Sequence, residues 1–271
     1  MNLDRIDPEA AGMNGDRLAG ISQIMQSYVD CGKITGLSTL IARRGNVVHF
    51  EKVGVMDRES AIPLVDDAIF RIYSMTKSIT CTALMTLYEK GRFQLDDPVP
   101  DLGEPGMTLS RTLEAWNMGF NEKIDVSATY PDSDADFARG GHGLFSTAGD
   151  YLKYCQMLLN GGHLNGKRIL GRKTIELMFM NHLPQSLLPF KVAEPPDYGY
   201  GFGLGSRVLM NVAESRKPGS VGEYGWGGVA KTYFWVDPME EIIGIFMAQS
   251  MMQFDMPERE LQVITYSAIN D

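Results

Sequence analysis

The chain has 271 residues, 44% of them hydrophobic and 22% charged. That is too apolar for a disordered chain and supplies the core of one large or two modest domains. The net charge of −9 disfavours nonspecific binding to nucleic acid, which depends on neutralising phosphates. Cys31, Cys81 and Cys155 are sparse, odd in number and lack any CxxC pair, so neither a disulfide framework nor a thiolate metal site is expected. The first thirteen residues carry acids and no apolar stretch, unlike a signal peptide. The longest nearly uncharged run, 242–252, is too short to span a bilayer. These features predict a cytoplasmic protein with no membrane and no nucleic-acid partner.

Residues 14–30 place Leu18, Ile21, Ile24, Tyr28 and Val29 at helical steps, with Gly32 at the stop. The segments around Arg43, Arg44, Gly45 and Asn46 read as a β-hairpin with a Gly-Asn turn. A second helix is predicted from 72–74 to about Lys90, with Met75, Ile79, Ala83, Leu84 and Leu87 giving it a largely buried character. Asp96 and Asp97, before Pro98, read as turn residues. From Asp101 to about Ala138 the periodicity weakens. Thr147 and Asp150 then fit the spacing of a helix cap for 147–159, and a further helix is expected over 171–180. Residues 197–210 alternate glycine with bulky side chains. Residues 232–238 and 242–248 form a predicted hairpin, and 259–269 a final helix. Helix and hairpin at one end, strands and helix at the other, predict one antiparallel sheet built from both termini and covered by helices, an α/β (α+β) architecture.

Ser74-Met75-Thr76-Lys77 is the sharpest chemical feature. At i and i+3 on a helix the hydroxyl and the amine share one face. The serine falls near the first turn, where free N–H groups and the helix dipole favour a developing anion. A lysine in a dry site loses proton affinity from a reference of about 10.4 and becomes a base toward the hydroxyl. The competing reading is a serine cap beside a snorkelling surface lysine; the apolar residues around Lys77 weigh against it. Tyr224-Gly225-Trp226-Gly227-Gly228-Val229 precedes a strand, and paired glycines let a backbone approach a ligand closely; a Gly-rich turn with a packing tryptophan is the alternative. Gly140-Gly141-His142-Gly143 lacks phosphate-loop order and a second metal ligand, and reads mainly as a lead-in to a helix, with His142 a cleft-lining candidate. His49, His163 and His182 are expected in strand, turn and surface positions.

Taken together, residues 70–80, the LeuAspAspProVal stop at 95–99, the segment 140–151 and Tyr224 to Gly228 resemble the serine β-lactamase-like superfamily. The nearest branch looks like the class C β-lactamase-related esterases, the family VIII carboxylesterases. The resemblance implies a β-lactamase/transpeptidase-like fold, an α/β domain from 1–100 and 140–271, and an acyl-enzyme on Ser74 with Lys77 as proton acceptor. It implies an oxyanion hole from the backbone of Ser74 and Val229, and a pocket with Trp226, Gly227 and Gly228, lined also by Tyr73. Trp226 stands where penicillin-recognising relatives carry a lysine, which tilts the expected substrate toward neutral, small-molecule esters. No metal or other cofactor is implied. One element departs from the family. Its catalytic tyrosine lies in a helical domain between the SxxK helix and the 140–151 segment, and only about forty residues occupy that interval here. Neither Tyr130-Pro131 nor Tyr151-Leu152-Lys153 matches its motif. The all-helical domain therefore reads as truncated or absent from this sequence, with 101–139 its remnant or edge. A noncatalytic binding or scaffold protein, and a β-lactamase or penicillin-binding peptidase, are the alternative functions.

Overall fold

The computed structural model describes residues 3–97, 140–191, 196–251 and 256–271. Helix α1 (Gly15–Asp30) starts at Asn14, whose side-chain oxygen accepts the Arg17 N–H at 2.8 Å, and it buries Leu18, Ile21, Met25 and Tyr28. Strands β1 (Gly36–Arg43) and β2 (Asn46–Asp57) follow as the predicted hairpin. Its turn is Arg44-Gly45, both at positive φ (51° and 76°), whereas Asn46 already pairs with Arg43 as the first residue of β2. The Gly-Asn turn is thus displaced by one residue, because a two-residue turn of this hand needs left-handed conformations at both central positions.

Short strands β3 (Ile62–Pro63) and β4 (Phe70–Arg71) lead to a 3₁₀ turn, Tyr73–Met75, and helix α2 (Thr76–Tyr88). The predicted helix therefore begins later than 72–74, and it is not largely buried: Leu84 and Leu87 are 47% and 42% exposed. Its inward face carries hydroxyls instead. Ser78 donates to Gly205 O at 2.6 Å, and Thr82 bonds the Ser78 carbonyl and the Tyr154 hydroxyl, each at 2.9 Å. Partnered polar groups can occupy a core, and apolar periodicity then selects the wrong face.

Strand β5 (Phe145–Ser146) pairs with β4, and α3 (Ala148–Leu159) begins at Thr147, whose hydroxyl caps the Asp150 N–H at 3.0 Å. Strands β6 (His163–Leu164) and β7 (Lys167–Arg168) and helix α4 (Arg172–Met178) come next. The glycine-alternating run is a tight hairpin, β8 (Tyr200–Phe202) and β9 (Arg207–Leu209), closed by the Gly203 N–H bonding Ser206 O at 2.8 Å. A short helix, α5 (Val212–Ser215), precedes β10 (Tyr224–Gly228), β11 (Thr232–Asp237) and β12 (Ile242–Ala248). Helix α6 (Pro257–Ser267) ends the described chain.

The eight-stranded sheet runs β3-β2-β1-β12-β11-β10-β9-β8, with antiparallel neighbours, so strands from both ends of the chain meet at β1 and β12. One face packs Leu40, Phe234, Val236 and Ile245 against α2, α3 and α4. The other packs Leu37, Ile41, Trp235 and Phe246 against α1 and α6. Central strands buried on both faces read as continuous apolar runs, as β11 and β12 do. Gly244 leaves room for the indole of its cross-strand partner Trp235: a Cβ there would lie 2.0 Å from a ring carbon. Gly244→Ala is expected to cost about 1–3 kcal/mol by overpacking, read as a lower urea midpoint at unchanged m-value.

Candidate active site

The turn that presents Ser74 is pinned from several directions. The Ile72 N–H donates to Leu144 O at 3.1 Å, and the Ile72 carbonyl accepts from Thr232 Oγ1 at 3.2 Å. The side-chain amide of Gln249 brackets the preceding Arg71 peptide, accepting its N–H and donating to its carbonyl at 3.2 Å each. On the other side Tyr151, fully buried, donates its hydroxyl to the Met75 carbonyl at 3.2 Å. Between these clamps Tyr73 holds a left-handed backbone, φ 44°. Such a conformation costs a bulky residue about 1–3 kcal/mol and persists only where its surroundings over-determine it.

Lys77 Nζ lies 2.7 Å from Ser74 Oγ and 2.9 Å from the carbonyl oxygen of Gly141. No carboxylate pairs with it among the described residues. Burial lowers the affinity of the amine for its proton, opposed more weakly by the thiol of Cys81. The predicted pair is thus brought together, the amine within hydrogen-bond distance of the hydroxyl. Gly141 was legible only as part of a helix lead-in, since a backbone carbonyl leaves no signature in the sequence. Gly140 lies so close to α2 that a Cβ would meet Thr80 Cγ2 at 2.8 Å, whereas a Cβ on Gly141 would make only ordinary contacts with Lys77. His142 and Tyr73 are half-buried beside this turn.

Strand β10 closes another side. A Cβ on Gly228 would lie 2.3 Å from Thr232 Oγ1 and 2.5 Å from the Ile72 carbonyl oxygen. Only glycine lets this strand end approach the serine turn so closely. Neither the Ser74 nor the Val229 amide N–H donates to a protein acceptor among the described residues. Trp226 sits edge-on to Phe202, ring centroids 4.9 Å apart at 89°, in an apolar wall that includes Phe190 and Leu183.

Of the remaining candidates, His49, His182 and Asp97 lie where the sequence predicts, whereas His163, expected in a turn, starts strand β6 because the turn itself falls at Asn165-Gly166. His49 is buried in β2, 2.8 Å from Thr39 Oγ1, and burial with the charge of Arg5 pushes it down to about 4. His163 is on β6, and His182 bonds the Leu177 carbonyl at the surface. Asp97 closes a turn onto the Gln94 N–H at 2.7 Å. Tyr130 falls outside the described residues. Among those described, no tyrosine hydroxyl bonds Ser74 or Lys77, no cluster of three or more metal-ligating side chains occurs, and no helix is long and apolar enough to cross a membrane.

A family model described as Beta-lactamase matches residues 21–115 and 108–265. The chain belongs to the Beta-lactamase family. Among curated proteins, this Beta-lactamase family member is 21% identical to Protein Rv1367c of Mycobacterium tuberculosis, covering 86% of this chain and 90% of that one. Their alignment runs over 360 positions, more than the 271 residues here, so the relative holds residues that this chain lacks. Esterase EstB of Burkholderia gladioli is 29% identical over 100 residues, 36% of this chain and 26% of that protein. The solved structure of EstCE1, described as a hydrolase with promiscuous acyltransferase activity, superposes with a TM-score of 0.69 at 19% identity, covering 92% of this chain and 98% of its own. That likeness establishes the shared fold.

Proposed function

We propose that this family member is a serine hydrolase of the class C-related, family VIII esterase branch, cleaving carboxylic esters through an acyl-enzyme on Ser74. The observation that carries the reading is the 2.7 Å bond between Lys77 Nζ and Ser74 Oγ, made by a half-buried lysine without a carboxylate partner among the described residues. Similarity to Esterase EstB over 100 residues favours the ester over the β-lactam reading, as does the uncharged Trp226.

In the proposed sequence neutral Lys77 takes the Ser74 proton as Oγ attacks the ester carbonyl. The oxyanion forms against the N–H groups of Ser74 and Val229. The tetrahedral intermediate then collapses, the C–O bond to the alcohol breaks, and Lys77 returns its proton to the departing oxygen. Water attacks the acyl-serine next, giving Lys77 a proton that passes back to Ser74 Oγ as the acid is released. Every atom is supplied by substrate, water and these residues. Gly141 O would orient the amine and stabilise its charged form between steps.

The pH dependence has a definite sign. Lys77 is the base only when unprotonated, and burial lowers its pKa. Acylation kcat/KM should therefore rise with pH and level off at an inflection below the ordinary lysine value of about 10.4. A stopped-flow profile with p-nitrophenyl butyrate checks this; an inflection at or above that value would contradict the assignment. The absence of a tyrosine hydroxyl at Ser74 and Lys77 among the described residues favours one second reading, a noncatalytic β-lactamase-like binding protein. That reading predicts no acylation at all.

A further inference from the structure

A cavity of about 620 Å³ opens on the opposite side of the sheet from α2, between α1, α6 and the segments 196–200 and 214–217. Its apolar lining comes from Ile24, Val263 and Ile264. Three cations also line it: Arg216, Lys217 and Arg259. None of their side chains has a hydrogen-bond or ion-pair partner among the described residues. Lys217 is half-buried, its Nζ 4.6 Å from the centroid of the Tyr200 ring. Arg207 lies 4.5 Å from the same ring, but it is already partnered, with Asp197 at 3.4 Å and with the Tyr233 hydroxyl. Two of the acids lining the cavity are likewise engaged, Asp197 with Arg207 and Glu214 with the Asn211 side chain at 2.9 Å; Glu260 is exposed.

The walls are built closely. Gly199, at φ 74°, lies where a Cβ would meet Asn211 O at 2.3 Å and the Ser215 N at 2.6 Å, and its carbonyl accepts the Met210 and Asn211 N–H groups at 2.8 and 3.0 Å. Arg216, exposed, ends α5 in a left-handed backbone, φ 57°. An ammonium carries three donors and no acceptor, and a charged group withdrawn from water without a partner is costly. Burial, with Arg207 and Arg259 nearby, pushes Lys217 down to about 7, so an arriving anion would relieve that penalty.

We propose that this cavity binds an amphipathic carboxylate, its acid group on Lys217 with Arg216 and Arg259 and its apolar body along Ile24, Val263 and Ile264. A single carboxylate fits a site whose rim also holds acids better than a phosphate dianion does, and the apolar lining calls for a hydrocarbon body. The site stands apart from Ser74 and does not depend on the esterase reading.

Calorimetric titration of the full chain with octanoate, octanol and inorganic phosphate tests it. Octanoate should bind once per chain, at least about tenfold more tightly than either control, since the charge-assisted contacts and the apolar contacts are both needed. Lys217→Met should weaken octanoate by about tenfold or more, Lys217→Arg should restore most of the affinity, and Ser74→Ala should leave it unchanged. Should circular dichroism show Lys217→Met unfolded, Arg259→Met is held to the same threshold. The proposal is overturned by an absence of saturable octanoate binding, by equal binding of phosphate, by a folded Lys217→Met that binds like the parent, or by loss of binding in Ser74→Ala, which would place octanoate in the serine site.

Discussion

Ser74→Ala is expected to lower ester turnover by about 10⁴-fold or more, to the level left by binding and oxyanion contacts alone. Lys77→Met should cost about 10²–10⁴-fold, the range for a positioned general base. The reasons differ and can be separated. In the proposed mechanism Ser74 supplies the atom that becomes acylated, so its loss would abolish the covalent intermediate. Lys77, 2.7 Å from Ser74 Oγ, would supply only the proton acceptor, so its loss should slow acylation without preventing it. Residues acting as one unit are not additive. The double variant should therefore be no slower than Ser74→Ala, and KM should move less than kcat in Lys77→Met. A multiplicative double variant would show that the two side chains work independently.

Gly228→Ala should be the most damaging small substitution outside the Ser-Lys pair, lowering kcat by about 10²–10³-fold, the cost of losing an oxyanion donor. The added Cβ would lie 2.5 Å from the Ile72 carbonyl oxygen and 2.3 Å from Thr232 Oγ1. Ile72 is two residues before Ser74 and is fixed by hydrogen bonds from Met75 and Thr232. The end of β10 must retreat, carrying the Val229 N–H with it. Gly227→Ala is the internal control. Its Cβ would meet Thr232 O and Tyr233 Cδ2 at 3.3 Å, a contact that small shifts accommodate, and its kcat should fall far less. Equal losses in the two variants would argue against a donor specifically at Val229.

Much of this architecture was legible because the relevant signals are local. The 14–30 periodicity, the Thr147 cap and the strand runs at 232–248 each name their element, and the joining of both termini in one sheet follows from their order. What escaped was decided by distant partners. Helix α2 turns Ser78 and Thr82 inward because Gly205 O and Tyr154, far along the chain, satisfy them; apolar spacing therefore misjudged its buried face. The 197–210 run hid a hairpin because glycines at 203 and 205 serve its turn. At the site, Ser74 and Lys77 are visible as a spacing. The Gly141 carbonyl, the Thr232 hydroxyl and the Gln249 amide act on or through backbone atoms brought from elsewhere, and no local motif announces them. The 360-position alignment with a 271-residue chain shows only that the relative holds additional residues.

The proposed function stands or falls on acylation of Ser74. Intact mass spectrometry after incubation with a fluorophosphonate, and separately with p-nitrophenyl butyrate, measures it directly. One adduct per chain is expected, mapped by peptide digestion to Ser74 and absent from Ser74→Ala, with a p-nitrophenol burst from the ester. An unmodified mass and no burst from the folded chain would contradict it, and would leave this Beta-lactamase family member as a binding protein.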